Sequence, residues 1–426
     1  MKRLNILISS HELHPDQGSE CAVGWNICTK MAEIHDVTVL CASGPPLNPL
    51  AYKVAVSKYF DQNPAINKLN IVFVDQPPFT LKCARINQKY FDVSDGVGNR
   101  LLFYLGLDAW HRAAFHKAKS LSDNKFNLVH QLTPITFNKP GYMWRLKIPF
   151  YWGPIGGMYK VPSIFAKWLG IKSMLFETVR TANIGFQLKF SRCFKSAAKK
   201  ASMIWAVSKD EERVVKRLFG NKVSVMIDTA PPIFLQPSIR EYDGRRPLNL
   251  CWSGRHAKYK ALQLLLIAIS FLKEPSSVLL HVLGDGPETD GWRDIAARLN
   301  VTNIKWYGHQ PYQDALNIMK EMDIFVHTSI REAASSVVLE ALGLGLPVIC
   351  HDVCGMAVVV DDTCGIKVQC VNPEESAQGF FRALSEIITH PDLVSKLSAG
   401  AIERATELSW ENKVRQMSEE YIKAVV

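Results

Sequence analysis

The sequence lacks the features that mark several protein classes. Its longest apolar run, residues 261–272, is shorter than the roughly eighteen residues that a membrane-spanning helix needs. The ten cysteines are scattered, without the spacing of metal ligands or of a disulfide framework. The short apolar stretch at residues 4–8 is not typical of a signal peptide. We therefore expect a cytoplasmic protein with reduced thiols and no bound metal.

Other missing motifs exclude further functions. No Gly-x-Gly-x-x-Gly follows the first predicted strand, which disfavours a dinucleotide-dependent oxidoreductase. No helix-turn-helix, zinc-finger or RNA-binding aromatic motif is present, so a nucleic-acid partner is not expected. The chain also has no internal repeat and no low-complexity segment.

The chain is long enough for two separate cores, with 426 residues of which 47% are hydrophobic. Short apolar runs alternate with helical patterns, which predicts parallel sheets covered on both faces and thus an α/β fold of two doubly wound domains. A proline-rich polar stretch at residues 230–247 separates domains at 1–235 and 246–409. The predicted strands are 4–9, 37–41, 70–75, 127–130, 150–152, 203–207 and 223–227, and then 248–252, 278–283, 304–307, 324–327, 347–351 and 366–369.

The net charge of +10 comes from one region. Residues 160–222 hold fourteen Lys and Arg against four Asp and Glu. Aromatic and apolar residues alternate with cations at 164–176, as they do in segments that bind an anionic membrane surface. A solvated basic helix face explains the pattern equally well.

A cationic turn follows the predicted strand at 248–252. It reads Ser-Gly-Arg-His-Ala-Lys-Tyr-Lys and contains Gly254, Arg255 and Lys260. Arginine offers a planar fork and lysine a compact charge, so together they can neutralise a diphosphate. A plain surface turn with two cations is the alternative.

Three further loops place glycine after a predicted strand. Gly284 lies in Gly-Asp-Gly-Pro, Gly308 in Tyr-Gly-His, and Gly18 in a loop that opens a helix near the N-terminus. Glycine permits close approach of the backbone to a ligand, and the carboxyl ends of parallel strands are where ligands bind in such folds. Each loop taken singly is also an ordinary turn.

The segment after the strand at 324–327 carries two glutamates, Glu332 and Glu340, eight residues apart. Ser335 or Ser336 between them can cap the following helix, whose first amides, near Ser336 and Val337, are free to bind an anion. On one continuous helix the glutamates would lie about 12 Å apart along the axis, too far for the paired carboxylates of a glycoside hydrolase. They are better placed to hold two parts of one extended ligand.

Together these motifs resemble the family 4 retaining glycosyltransferases of GT-B fold. The resemblance depends on Ser-Gly-Arg with Lys260 five residues after Arg255, on the Gly-Asp-Gly-Pro turn, and on Glu332-x7-Glu340 followed by Ala-Leu-Gly-Leu-Gly-Leu-Pro-Val. In the first half, Gly18-Ser19-Glu20 and the segment around His130 also resemble the family.

The resemblance implies that the second domain binds a nucleotide-diphosphate sugar and the first binds the acceptor. Arg255 and Lys260 would contact the diphosphate, Glu340 the ribose and Glu332 the sugar hydroxyls. His130 is a candidate catalytic residue, with a buried structural histidine as the alternative. Residues 410–426 would cross back to the first domain, and neither a metal nor another cofactor would be needed. The remaining candidate donor-binding residues are Gly18, Gly254, Gly284, Gly308, Ser335, Ser336 and Val337.

The chain departs from the family pattern at three places. Ala333 and Ala334 stand where relatives carry glycine and a bulky residue, so the sugar is not specified. Leu132 replaces the second histidine of a His-x-His pattern that begins at His130. Residues 354–358 lack the usual glycine pair and acidic residue.

The function implied is retaining transfer of a sugar to a saccharide acceptor, with a polyprenyl-linked saccharide at the inner membrane face as one candidate, in the synthesis of cell-surface polysaccharide or glycan. A nucleotide-sugar epimerase or hydrolase on the same scaffold remains an alternative. A non-catalytic protein that binds nucleotide sugars or a membrane surface is another.

Overall fold

The computed structural model describes residues 3–63, 69–92, 98–121, 125–220, 222–232 and 235–425. Ile233, which belongs to the predicted domain boundary, and the first two residues lie outside the described residues. The described chain forms two sheets whose paired strands all run parallel.

The first domain is built on a seven-stranded sheet in the order β3-β2-β1-β4-β5-β6-β7. Its strands are nearly continuous apolar runs, as expected of strands buried on both faces. They are β1 (Asn5–Ser9), β2 (Asp36–Ala42), β3 (Asn70–Val74), β4 (Leu128–Gln131), β5 (Phe150–Ile155), β6 (Ala201–Ala206) and β7 (Val223–Val225). The helices are α1 (Ser19–Ile34), α2 (Ala51–Gln62), α3 (Pro78–Tyr90), α4 (Arg100–Leu121), α5 (Ser163–Trp168), α6 (Ile171–Phe190), α7 (Arg192–Lys200) and α8 (Lys209–Phe219).

The second domain is built on a six-stranded sheet in the order β10-β9-β8-β11-β12-β13. Its strands are β8 (Leu248–Ser253), β9 (Val278–Leu283), β10 (Ile304–Gly308), β11 (Ile324–His327), β12 (Val348–His351) and β13 (Gly365–Val368). The helices are α9 (Leu262–Ser270), α10 (Thr289–Arg298), α11 (Tyr312–Lys320), α12 (Ser336–Gly343), α13 (Met356–Val359), α14 (Pro373–Thr389), α15 (Asp392–Glu407) and α16 (Trp410–Val425).

Each of the predicted strands is present, with ends that differ by a few residues. The predicted α/β class, with two doubly wound domains of parallel sheet, is confirmed. The agreement has a physical reason: a strand buried on both faces must be apolar at consecutive positions, and that run is visible in the sequence without any knowledge of its partners.

The last helix, α16, packs against the first domain. Lys30 on α1 forms an ion pair with Glu411, and the Ser418 hydroxyl lies 2.8 Å from Nε2 of His35. Tyr421 is fully buried in the core of the first domain. The chain therefore passes through the second domain and returns to the first, so the two domains are connected by two crossings.

The polar stretch between the domains packs against the second domain over its later part. Arg240 donates to the carbonyl of Leu344 at 2.7 Å, and its amide donates to the Ser398 hydroxyl at 2.8 Å. Among the described residues no helix has the length and apolar character needed to traverse a lipid bilayer.

Candidate active site

Three glycines form a row at the carboxyl edge of the second sheet. Gly254, Gly284 and Gly308 follow or end the adjacent strands β8, β9 and β10. The Gly254 amide donates to the Leu283 carbonyl at 3.1 Å, and the Gly284 amide donates to the Gly308 carbonyl at 2.8 Å. A Cβ atom at Gly284, whose φ is +104°, would lie 2.1 Å from the Gly254 carbonyl oxygen. A residue with a side chain cannot occupy that position, so the backbone at this edge of the second sheet is not covered by side chains there.

A cavity of about 550 Å³ lies beside this row of glycines. Arg255 lines it and is exposed. Within the described residues no side chain or carbonyl bonds to the Arg255 guanidinium, which is thus an available cation at the mouth of the cavity. His309 and Gln310, at the start of the segment that leads into α11, form another part of its wall.

Lys260 and Glu332 form a close charged contact in the site. The Lys260 ammonium lies 2.8 Å and 2.7 Å from the two carboxylate oxygens of Glu332. Nε2 of His327, the last residue of β11, lies 2.9 Å from Oε2 of the same carboxylate. Burial by itself would raise the pKa of Glu332, but the hydrogen bond from His327 and the charge of Lys260 outweigh it and lower the pKa to about 2. Glu332 is therefore ionised at neutral pH.

The start of α12 presents open amides next to Glu332. Ser335 occupies the N-cap position, and the amides of Val338 and Leu339 donate to its carbonyl. In the described part of the chain, no group accepts from the amides of Ser336 and Val337, which are free to bind an anion. The predicted cap is wrong in one respect: neither serine side chain caps the helix, and the Ser335 hydroxyl is buried with no partner among the described residues.

Glu340 lies about one turn inside α12. The Tyr312 hydroxyl donates to its Oε1 at 3.3 Å, and Tyr312 begins α11 directly after the wall formed by His309 and Gln310. Burial raises the pKa of Glu340 to about 7, partly offset by this hydrogen bond. The carboxyl group is therefore close to half ionised at neutral pH and has room to gain a further hydrogen-bond donor.

A second cavity, of about 640 Å³, lies between the two domains. Glu332 and its neighbours face it from the second domain, and side chains of α4, α6 and the loops after β4 and β5 face it from the first. Its lining includes Tyr104 and Glu211 of the first domain and Tyr259, Arg331 and Glu332 of the second. The carboxylate that Lys260 and His327 hold is thus directed towards the first domain.

Gly18 lies at the start of α1, at the carboxyl edge of the first sheet. It is exposed, and a Cβ atom there would meet nothing within 4 Å. The nearby Glu20 carboxylate accepts a hydrogen bond from the Ile135 amide at 3.0 Å. No described contact joins Gly18 to the second domain, so its predicted contact with the donor stays a prediction.

His130 is in the core of the first domain and does not line the cleft. Its Nε2 lies 2.7 Å from the Gly153 carbonyl, its Nδ1 lies 2.7 Å from the Tyr421 hydroxyl, and the side chain is fully buried. Burial lowers the pKa of His130 to about 4, so it is neutral. Both ring nitrogens are occupied, which favours the structural role that was the alternative.

Sequence reasoning missed several side chains of the site. His327 ends a predicted strand five residues before Glu332, and that spacing was the available signal. Glu211 lies three residues after Ser208, which caps α8 by accepting from the Glu211 amide and whose hydroxyl also bonds the Glu211 carboxylate; Glu211 also accepts from the Met158 amide at 2.9 Å. Arg331 contacts Glu177 across the domains, and nothing in the sequence indicated that pairing.

Two sheet domains facing across a cleft, with ligand-binding loops at the carboxyl edge of the second, define the GT-B class. Comparison with solved structures shows the same fold over the whole chain. The lipopolysaccharide outer core galactosyltransferase WaaB aligns with a TM-score of 0.62 at 13% identity, over 99% of each chain. The sucrose-phosphate synthase of Thermosynechococcus elongatus aligns at 0.61 and 15%, also over 99% of each. HepE of Anabaena, solved with UDP and glucose, aligns at 0.57 and 14%, over 99% of this chain and 100% of that one.

Residues 244–404 match the family model described as glycosyl transferases group 1. This match lies in the second domain, and the predicted resemblance to family 4 glycosyltransferases of GT-B fold is confirmed. A curated relative, the D-inositol 3-phosphate glycosyltransferase of Saccharomonospora viridis, is 28% identical over 188 residues, which are 41% of this chain and 43% of the relative. An uncharacterised glycosyltransferase of Methanocaldococcus jannaschii is 25% identical over 197 residues, 44% of this chain and 50% of the relative. The matched region spans half or less of the length of these relatives.

Proposed function

We propose that the protein is a retaining glycosyltransferase that moves a sugar from a nucleotide-diphosphate sugar to a saccharide acceptor. The observation that carries this proposal is the cluster formed by Lys260, Glu332 and His327, together with the Arg255 guanidinium, which no group of the described residues binds. It puts two cations and one ionised carboxylate at the carboxyl edge of a sheet, next to open helix amides. Such a set matches a ligand that has both a diphosphate and sugar hydroxyls.

Each part of the donor has a group suited to it. Arg255 and Lys260 bind the diphosphate, with the amides of Ser336 and Val337 completing the anion site. Glu340 accepts hydrogen bonds from the ribose hydroxyls, and Glu332 accepts them from the sugar. Gly254 and Gly284 let the nucleotide lie against backbone in the 550 Å³ cavity, and Gly308 ends the adjacent strand beside it.

In the proposed reaction the acceptor hydroxyl attacks the anomeric carbon on the face from which the diphosphate departs. The bond from that carbon to the phosphate oxygen breaks through an oxocarbenium-like transition state, and configuration is retained. Negative charge builds on the leaving phosphate, where Arg255, Lys260 and the α12 amides stabilise it most strongly in the transition state. The departing phosphate oxygen accepts the proton of the acceptor hydroxyl. The proposed reaction uses neither a metal ion nor another cofactor.

The acceptor binds in the 640 Å³ cavity between the domains. There Glu332 faces Tyr104 and Glu211 of the first domain. Glu211 is buried, which raises its pKa to about 7 although backbone amides and Ser208 donate to it. Its oxygens are occupied by the Met158 amide and the Ser208 hydroxyl, so it shapes the wall of the cavity. Tyr104, Asn183 and Gln187 also line this cavity and offer polar groups to a saccharide.

The acceptor is proposed to be lipid-linked, in polysaccharide or glycan synthesis at the inner face of a membrane. Support comes from α6, whose exposed surface combines apolar side chains with Lys172 and Lys189. This mixed surface suits peripheral binding to anionic lipid. The exposed apolar residues of α6 are Ile171, Leu175, Phe176, Val179, Phe186 and Phe190. Because α6 also lines the cavity between the domains, a lipid-linked saccharide could reach Glu332 from that surface.

The function is tested by screening the purified protein against a panel of nucleotide sugars for an increase in melting temperature, because a ligand that binds only the folded state must stabilise it. The stabilising nucleotide sugar is then incubated with candidate saccharide acceptors, and the anomeric configuration of the product is read by NMR. Transfer with retained configuration supports the proposal.

Other results would overturn it. If no nucleotide sugar raised the melting temperature, the proposed donor site would be wrong. Release of free sugar at the same rate with and without acceptor would identify a hydrolase, and conversion of the nucleotide sugar to an isomer would identify an epimerase. Tight binding with no turnover across all acceptors tested would favour a non-catalytic binding protein.

A further inference from the structure

His327 ends β11 as a buried histidine with one hydrogen-bond partner among the described residues. Its side chain is 1% exposed, and its ring lies nearly parallel to that of Phe325, with centroids 6.1 Å apart. Nε2 lies 2.9 Å from Oε2 of Glu332. Nδ1 has no hydrogen-bond partner among the described residues.

This arrangement fixes the tautomer. Burial lowers the pKa of His327, so the imidazole is neutral and carries one N–H. An ionised carboxylate can only accept, so the proton must be on Nε2, where it donates to Glu332. The unpaired Nδ1 is then a bare acceptor. His327 is therefore a neutral hydrogen-bond donor to Oε2 of Glu332.

The proposed function requires Lys260 to change its partner from Glu332 to the donor diphosphate. In the structure its ammonium contacts both carboxylate oxygens of Glu332, whereas in the proposed reaction the same ammonium binds the leaving diphosphate. The flexible stem of a lysine permits such a change of partner. Glu332 then loses its nearest cation while it stays buried, and burial without a cation favours the protonated acid. A protonated Glu332 would no longer accept from the sugar hydroxyls as strongly as an ionised one.

We propose that His327 is a positioning residue, which keeps Glu332 ionised and oriented when Lys260 turns from this carboxylate to the donor diphosphate. The inference rests on the proposed function, because it assumes that Lys260 meets a diphosphate. His327 does not touch the substrate; it acts through Glu332. The effect of His327 on Glu332 matters at the step in which Lys260 contacts the diphosphate.

The surroundings contain few groups that could replace His327. Among the described residues, the other titratable side chains around this network include Asp228 after β7, His351 at the end of β12, Cys354 before α13, and Arg331 and Tyr259 beside Glu332. Asp228 is acidic and disfavours an ionised Glu332. Nδ1 of His351 donates to the carbonyl oxygen of Ser329 instead, at 3.2 Å. Arg331 is paired with Glu177.

The test compares His327→Leu, which removes the donor, with His327→Gln, whose side-chain amide places an N–H near the former Nε2. His281→Leu is the matched control, since His281 is also a buried strand histidine of the second sheet with one bonded and one unpaired nitrogen. Three quantities are measured with the nucleotide sugar found by the thermal screen: kcat, the pH dependence of kcat, and the dissociation constant of the matching nucleoside diphosphate.

For His327→Leu we expect kcat to fall about tenfold or more, the acidic limb of its pH profile to move up by about one pH unit, and nucleoside diphosphate affinity to change less than about twofold. His327→Gln should restore most of kcat and the original acidic limb. His281→Leu should leave the limb where it is in the unsubstituted protein. A general loss of packing would lower stability and activity without moving the pH profile, so the shift separates the two explanations.

The inference is overturned if His327→Leu lowers kcat with an unmoved acidic limb, or if His327→Gln behaves like His327→Leu while both melt at the temperature of the unsubstituted protein. It is also overturned if nucleoside diphosphate affinity falls in parallel with kcat. Failure of the proposed function is a separate outcome, seen first in the unsubstituted protein as no binding or transfer of any nucleotide sugar, and it would remove this inference as well. If His327→Leu does not fold, kcat of His327→Gln and the pH dependence of that kcat still test the inference.

Discussion

The Arg331 guanidinium of the second domain is paired with the Glu177 carboxylate of α6 in the first. Arg331 directly precedes Glu332, and its guanidinium also lies 5.2 Å from the ring centroid of Tyr259. Glu177 in turn accepts from Arg180 at 2.8 Å. The Arg331–Glu177 contact therefore holds the loop that carries Glu332, the proposed sugar-binding carboxylate. Glu177 makes this contact from α6, the helix with the exposed apolar surface.

The first prediction concerns this contact between the domains. Glu177→Ala leaves the half-buried Arg331 without its carboxylate, and breaking such a pair costs about 2 kcal/mol or more. We expect kcat/KM for the nucleotide sugar to fall about tenfold, with a larger radius of gyration in solution scattering. Glu212→Ala is the control, because its pair with Lys216 lies within α8. Unchanged kinetics for Glu177→Ala would mean that the contact does not position the loop.

The second prediction concerns the Arg255 cation. Loss of a preorganised donor to developing charge costs on the order of 3 kcal/mol, so Arg255→Ala should lower turnover a hundredfold or more. Because Arg255 is exposed and unbonded within the described residues, the melting temperature should not change. Arg245→Ala, at another exposed arginine of the second domain, should keep normal turnover. Near-normal turnover in Arg255→Ala would show that this guanidinium does not stabilise the leaving group.

The third prediction is a pH dependence of donor binding through Glu340. Burial raises the pKa of this carboxyl group to about 7, and the ionised form accepts better from ribose hydroxyls. Raising the pH from 6 to 8 converts the group from mostly protonated to mostly ionised, so affinity for the nucleotide sugar should increase by up to about tenfold. Calorimetric titration at several pH values measures this.

In Glu340→Gln the increase should disappear, since the amide does not titrate. Glu321→Gln, an exposed position at the end of α11, should retain it. If the affinity of Glu340→Gln still rises with pH as before, another group is responsible and Glu340 does not bind the ribose.

The fourth prediction concerns the proposed membrane surface of α6. Each lysine near an anionic bilayer contributes about 1 kcal/mol, so replacing Lys172 and Lys189 together by glutamate should weaken binding to anionic vesicles at least tenfold. Binding by the unsubstituted protein should also weaken as salt is raised. Vesicle sedimentation with neutral and anionic lipid gives both quantities.

The control replaces Lys53 and Lys58 by glutamate, which makes the same change of net charge on α2. It should bind as the unsubstituted protein does. Equal sedimentation with neutral and anionic vesicles, or none with either, would remove the membrane proposal while leaving the donor site untouched.

Much of the fold and part of the site could be predicted from the sequence because both depend on local patterns. The strands are apolar at consecutive positions, and Gly254, Gly284 and Gly308 come directly after or at the end of three of them. Parallel strands bring their carboxyl ends to one edge, so these glycines and Arg255 had to lie near each other. The two glutamates were recognisable through their spacing and the helix that follows.

What the sequence by itself determined is therefore the pair of doubly wound domains and the sheet edge at which a ligand can bind, since short-range apolar periodicity and loop composition encode both. Only the tertiary structure decided which side chains meet. Glu332 joins Lys260, 72 residues away, and His130 is enclosed by Tyr421, 291 residues away. The packing of α16 on the first domain makes His130 a core residue, and the end of β11 makes His327 the donor to Glu332. Contacts over such separations arise from packing between elements, and no local pattern records them.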